Sequence, residues 1–287
     1  MIRAILAASR PISWVNTAVP FALAYLLDTS RFDWLLLVGF VFFLIPYNIA
    51  MYGINDVFDY ESDIRNPRKG GIEGAVLPKS LHRPLLIAAG VTTLPFALVL
   101  YAAGTWASAL WLTLALFAVY AYSAPPFRFK EIPVLDSVTS SAHFTVPALV
   151  GATIADPAVS RGFWLATAAF LLWGMASHAL GAVQDVVADR EGGLSSIATG
   201  LGARLTTRLA CGGYAIAALL CFALPVPGWV VGVLGLGYAA NALRFANVTD
   251  ETSADVNRAW RVFLWLNFAT GGVITIAVLF FLFPPSF

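Results

Sequence analysis

Charge is what this sequence has least of. Only 11% of its 287 residues are Asp, Glu, Lys or Arg, 17 basic against 16 acidic, while 59% are apolar. Mean hydropathy is +0.79. Soluble domains carry about a quarter of their residues as charges, so this composition excludes one and predicts a polytopic membrane protein. A net charge of +1, with no basic stripe interleaved with aromatics, excludes nucleic-acid binding. Cysteine is scarce too. Cys211 and Cys221 share one apolar segment without CxxC spacing, and about 15 Å along a helix is too far to bridge. They read as small buried apolar residues. No His/Cys spacing marks a zinc site. The N-terminus holds two arginines and only a short apolar stretch before Pro11, which predicts no cleavable signal peptide and a retained first helix.

What the chain does have is apolar runs of bilayer length. Hydropathy marks about nine spans, near 12–28, 34–54, 84–103, 106–123, 134–154, 162–183, 206–224, 228–247 and 260–283. Pro46 predicts a kink in the second, and Pro125, Pro126, Pro133 and Pro147 predict bends in the fourth and fifth. With the N-terminus cytoplasmic, all basic residues but Arg31 and Arg161 fall on the cytoplasmic side, a strong positive-inside signal. The two long cytoplasmic loops, near 55–83 and 184–205, each follow an acidic cluster and are rich in Gly and basic residues. Like features four helices apart read as a weak internal duplication, helices 1–4 and 5–8 plus a ninth, within a single domain over 1–287.

Those acidic clusters concentrate the chemistry. Asp56, Asp59 and Asp63 close the second span, and on a helix they share one face, with Tyr52 and Asn48 deeper on it. Glu61 points away and reads as solvated. Asp185 and Asp189, four apart, close the sixth span, with His178 two turns below. Asn55 and Gln184 stand just ahead of each first aspartate. Carboxylates held this close repel unless a cation is present. Magnesium fits, because it accepts one or two carboxylates per ion and leaves positions for water and phosphate oxygens. Arg65, Arg68 and Lys69 beside Gly70 and Gly71, and Arg190 beside Gly192 and Gly193, then read as phosphate clamps. Positive-inside sorting alone also accounts for these cations.

Asn55-Asp56-x-x-Asp59-x-x-x-Asp63, with Asp185-x-x-x-Asp189 and Tyr122-Ser123-x-Pro125-Pro126-x-Arg128-Phe129-Lys130, resembles the UbiA superfamily of intramembrane prenyltransferases over essentially the whole chain. The resemblance implies an all-α fold of nine transmembrane helices around a central cavity. It also implies two Mg2+ ions bridging a prenyl diphosphate, and a lateral opening to membrane lipid. Carried over, Asn55, Asp59, Asp63, Asp185 and Asp189 are metal or metal-water ligands and Asp56 assists. Tyr122, Ser123 and Lys130 contact the diphosphate or the prenyl cation, Arg128 belongs to the same segment, and Asn16 lines the cavity. Many members carry Asn-Arg-Pro after the first motif; here the loop runs Asn66-Pro67-Arg68-Lys69-Gly70-Gly71. Arg68 and Lys69 are therefore the substitute phosphate ligands, with Lys79 in reserve. The lysine often found after the second motif is replaced by Ser195, Ser196 and Thr199. Within the superfamily, the opening Ala8-Ser9-Arg10-Pro11-Ile12-Ser13-Trp14-Val15-Asn16-Thr17 is similar to carotenoid-elongating members, the lycopene elongases.

That narrower likeness implies transfer of a dimethylallyl group from its diphosphate to the end double bond of a carotenoid such as lycopene. The new tertiary cation then loses a proton or takes up water, and His143 and His178 are conceivable bases. Two other functions compete. An aromatic prenyltransferase acting on a quinone or chlorin precursor commonly needs a cation for the acceptor carboxylate, and no basic residue lies deep inside a span. A secondary transporter would place its acids at the bilayer midplane, whereas these lie at the cytoplasmic edge.

Overall fold

A bilayer offers no water to backbone N–H and C=O groups, so an apolar, charge-poor chain must pair them within its own helices. The computed structural model describes residues 1–64, 77–225 and 227–284, and among them contains fourteen α-helices and no strand. In chain order these are α1 (Ile2–Ala8), α2 (Val15–Thr29), α3 (Trp34–Leu44), α4 (Pro46–Phe58), α5 (Tyr60–Asp63), α6 (His82–Ala103) and α7 (Trp106–Ser123). They continue as α8 (Leu135–Thr153), α9 (Arg161–Val183), α10 (Val186–Glu191), α11 (Ile197–Leu201), α12 (Ala203–Phe222), α13 (Gly228–Leu243) and α14 (Asn257–Leu282). Two compact units form, Met1–Phe129 with His143–Ala158, and Lys130–Ala142 with Val159–Phe287.

Six helical stretches among the described residues are long and apolar enough to cross a membrane: Trp34–Phe58, Lys79–Ala103, Trp106–Ser123, Arg161–Val183, Ala203–Phe222 and Ser253–Leu282. The other three expected windows hold α2, with 15 residues, α8, with 19, and α13, with 16. The first and last of these are short, and α8 carries Asp136, His143 and several hydroxyls.

In the first unit, Pro46 does more than kink the second span. It ends α3 and begins α4, with Ile45 between them at φ −118°, ψ −65°. Proline has no N–H to give to the preceding turn, yet is well suited to the first position of a helix. The interruption leaves carbonyls that need donors. Asn48 Nδ2 donates to the carbonyl oxygens of Phe43 (2.8 Å) and Leu44 (3.1 Å), and Thr17 Oγ1 of α2 donates to Phe43 O (2.6 Å). Asn48 also donates to Thr17 Oγ1, at 2.8 Å. Asn48 is therefore a structural seal rather than a lining residue of the acidic face. Phe21, Phe42, Phe43 and Tyr47 pack around the break as a buried aromatic core, with ring centroids 4.8 Å apart for Phe42–Phe43 and 5.2 Å for Phe43–Tyr47.

The second unit is built on α9, α12 and α13, with α14 alongside. Trp173, Tyr238 and Phe263 pack edge-to-face and stacked at 5.6–5.8 Å, a geometry that suits the ring quadrupoles. The buried phenols do not go unsatisfied: Tyr214 donates to Ser177 Oγ and Tyr238 to Asn267 Oδ1, both at 3.0 Å. The start of α8 lies close against α9. A Cβ on Gly174 would overlap Ser141, whose hydroxyl donates to Leu171 O at 2.8 Å.

Candidate active site

The first acidic motif ends an apolar helix. Helix α4 stops at Phe58, Asp59 sits at the turn (φ −100°, ψ 0°), and α5 begins at Tyr60. The chain is thus interrupted where one continuous helix was expected. Asp59 N still donates to Asn55 O and Asp63 N to Asp59 O, each at 2.9 Å, so the helical hydrogen bonding carries across the turn. Asp56, Asp59 and Asp63 all end up buried, at 4%, 5% and 9% exposure. Glu61 lies outward, paired with Lys79 at 2.6 Å.

Buried carboxylates need partners, and two neighbours supply them. Asn55 Nδ2 donates to Asp59 Oδ2 (2.7 Å) and to Ser123 Oγ (2.8 Å), which ties the motif to the end of α7. Its amide oxygen is then the atom suited to face a cation. The second partner is Arg10, a residue the sequence reading left to membrane topology. Its Nη2 lies 3.0 Å from Asp56 Oδ1, and its guanidinium sits 4.3 Å from the Tyr52 ring centroid. Arg10 adopts a left-handed conformation (φ 51°) directly before Pro11, a strained choice for a residue preceding proline. Trp14 braces this turn by donating from its indole nitrogen to Ser9 O and Oγ, at 3.1 and 3.0 Å.

The Tyr-Ser segment follows in the same unit as far as Phe129. Ser123 is buried, Tyr122 packs edge-on against His143 with centroids 5.4 Å apart, and Arg128 donates from Nη1 to Ser123 O at 3.2 Å. Arg128 has φ 43°. Lys130, in a short 3-10 turn, is half-buried, and Asn16 is exposed at the start of α2. Arg65, Arg68 and Lys69 lie outside the described residues.

The second motif is built differently. Asp185 stands at the N-cap position of α10 without a side-chain capping bond, Asp189 lies one turn on, and both are half-buried. The helix closes with a left-handed Gly193 (φ 69°), across which Leu194 N donates to Asp189 O and Gly193 N to Arg190 O. This is a Schellman end that favours glycine, so Gly193 shapes the turn after the acids. Arg190, expected on the diphosphate, instead donates to Asp250 Oδ2 (2.5 Å) and to Thr199 O (3.0 Å). Asp250 also accepts from Ala203 N at 2.7 Å. That backbone N–H first, and Arg190 second, hold the Asp250 carboxyl below the usual carboxylate range. Ser196 and Thr199 form a capping box on α11, which accounts for those hydroxyls. Gln184 is hydrogen-bonded to Gly181 O and accepts from Asn257.

The donor set suits a hard divalent cation. Each motif offers carboxylate and amide oxygens and no thiol. Among the described residues no three His, Cys, Asp or Glu side chains converge into a cage of their own. An ion here would share its coordination with water and phosphate, the habit of magnesium.

The model of the UbiA prenyltransferase family matches residues 17–268. A lycopene elongase/hydratase of Corynebacterium glutamicum is 61% identical over 278 residues, 97% of each chain. The C(50) beta-cyclic carotenoids biosynthesis protein LbtBC of Dietzia sp. is 53% identical, over 95% of this chain and 63% of that one. Among solved structures, a UbiA homologue from Archaeoglobus fulgidus bound to DMAPP and Mg2+ superposes with a TM-score of 0.67 at 20% identity, covering 94% of this chain and 99% of that one. The chain is a multi-pass membrane enzyme that belongs to the UbiA prenyltransferase family.

Proposed function

We propose that this enzyme transfers a dimethylallyl group from dimethylallyl diphosphate to the end double bond of a carotenoid such as lycopene, giving C45 and C50 products. The observation that carries the reading is the burial of Asp56, Asp59 and Asp63 at the end of an apolar helix, in a chain 61% identical to a lycopene elongase/hydratase. Taking a carboxylate out of water costs several kcal/mol unless cations compensate. Arg10 offsets one of the three and Asn55 donates to a second, and a bound divalent cation would add to both.

Asn55, Asp59, Asp63, Asp185 and Asp189 would hold two magnesium ions. When bound, magnesium neutralises the diphosphate and turns it into a competent leaving group. Asp56 acts through its pair with Arg10. Ser123, Arg128 and Lys130 face the diphosphate, joined by Arg65, Arg68, Lys69 and Arg190, the last after release from Asp250, and Asn16 borders the same space. Tyr52 and Tyr122 present ring faces to the developing allylic cation, and the apolar helices keep water from quenching it. The N-terminus and both motifs face the cytoplasm, and nine crossings form a single domain open to lipid.

Co-expression in a lycopene-producing host, with pigments analysed by mass, tests the reading. Conversion of lycopene to species heavier by one and two C5 units is expected. The purified enzyme should release pyrophosphate from dimethylallyl diphosphate only with Mg2+ and acceptor present. Unaltered lycopene, alongside prenylation of a quinone precursor, would overturn it.

A further inference from the structure

Arginines gather at one end of the second unit, and three of them meet on a single turn. Helix α13 ends at Leu243, and the turn that follows runs Arg244-Phe245-Ala246-Asn247. Arg208 of α12 donates to it twice, from Nε to Ala246 O at 2.9 Å and from Nη2 to Asn247 Oδ1 at 3.0 Å. The guanidiniums of Arg244 and of Arg258, in the first turn of α14, each lie 5.8 Å from the Phe245 ring centroid, within reach of its π system. Arg204 stands one turn before Arg208, and Arg261 one turn after Arg258. All five arginines are exposed, and all lie in the second unit.

Carboxylates do not match them. Among the described residues, Arg258 pairs with Asp255 at 3.1 Å, with the two side chains 62% and 56% exposed, an arrangement that water screens. Arg204, Arg208, Arg244 and Arg261 form no ion pair there. Like charges held together repel, so the cluster favours an anion. Sorting of basic residues to one side of a membrane explains why arginines lie at this end; it does not gather three of them on one turn. The flanking helices show what kind of anion fits. Both α12 and α14 are long and apolar enough to cross a membrane. On α14, Arg258, Arg261, Trp265 and Phe268 follow at helical spacing and share one face, with Trp265 77% and Phe268 51% exposed. That stripe passes from arginine through tryptophan to phenylalanine over about 15 Å, the order of a lipid itself, charged at headgroup depth and apolar below.

We propose that this turn binds the phosphate of an anionic phospholipid, whose acyl chains lie along the exposed face of α14. Arginine's planar fork pairs with phosphate oxygens two at a time. Arg208 is held by its two bonds to the turn, and Arg244 and Arg258 are steadied on Phe245, so the three lose little side-chain freedom on binding. The site does not depend on the prenyl-transfer reading, since none of its residues belongs to the acidic motifs.

Native mass spectrometry of the full-length protein in a neutral detergent, titrated with phosphatidylglycerol or with phosphatidylcholine, tests this. The wild type should retain phosphatidylglycerol in preference to phosphatidylcholine, and its melting temperature should rise with the anionic lipid alone. An arginine beside an anionic headgroup contributes about fivefold in affinity, so the triple variant Arg208→Gln, Arg244→Gln, Arg258→Gln should lower the preference by at least about tenfold. Arg3→Gln with Arg83→Gln removes two exposed charges from the first unit and should leave the preference within about twofold, as screening of distant charges requires. If the triple variant does not fold, Arg244→Gln and Arg258→Gln decide singly, each with a loss of about fivefold. Equal retention of the two lipids by the wild type overturns the proposal, as does an unchanged preference in the folded Arg208, Arg244 and Arg258 variants. An equal drop in the Arg3 and Arg83 variant would reduce the effect to general surface charge and overturns it too. Displacement of phosphatidylglycerol by excess inorganic phosphate would make this a site for a free anion, and the lipid assignment would fall.

Discussion

The two acidic motifs share a spacing and differ in how the protein holds them. Asp56, Asp59 and Asp63 are drawn out of solvent, and Arg10, 46 residues earlier in the chain, is committed to Asp56 with the carboxylate side chain only 1% exposed. Asp185 and Asp189 keep partial exposure, and the arginine next to them in sequence turns to Asp250, in a pair 45% and 33% exposed. The first motif is a buried platform in which one carboxylate is paired with an internal cation. The other is a wetter edge braced by surface interactions. The same local sequence pattern therefore carries different energetic weight in its two settings.

Breaking both motifs gives the largest effect. Asp59→Ala and Asp185→Ala should each reduce pyrophosphate release by at least about 10³-fold, the upper range for losing one preorganised charge-stabilising group, while both proteins still insert. Activity retained in either purified variant would sink the shared-site reading. Next comes the contrast between cations. Arg10→Met takes the arginine away from a buried carboxylate and should cost about 3 kcal/mol, read as a lower melting temperature in detergent, with Asp56→Asn restoring part of it. Arg190→Met removes an exposed pair and should cost under about 1 kcal/mol. Equal losses would erase the distinction between platform and edge. The smallest effect is on pH. Because the folded Asp250 carboxyl lies below its unfolded value, near 4, its stabilisation is complete at neutral pH and fades as acid approaches the folded pKa. A series of melting curves below pH 5 should therefore fall more gently for Asp250→Asn than for the wild type.

Hydropathy is a local property, and so the helices that depend on it alone are legible: α6, α7, α9 and α12 lie within a few residues of the apolar windows. Aspartate spacing is equally local. What sequence pattern does not reveal is whatever a distant residue completes. Pro46 predicts a kink, but the full break is tolerated because Thr17 and Asn48 supply donors to the exposed carbonyls. Arg10 is hidden by its position, since sorting of basic residues to the cytoplasmic side already explains it. Its strained backbone and its contact with Asp56 appear only in three dimensions. Arg190 is placed by sequence beside the acids, and Asp250, sixty residues on, redirects it. Asp136 was legible in principle, as an acid inside a predicted span; its partners Ser137, His178 and Ile197 were not.

The seal at Pro46 bears on how the protein is made. The segment Trp34–Phe58 has the length and oiliness of a self-sufficient anchor, yet one of its carbonyls is paired by a hydroxyl on the preceding helix. Asn48, inside the same segment, reaches that carbonyl as well, so the second crossing brings its own first donor and docking on the preceding helix adds the second.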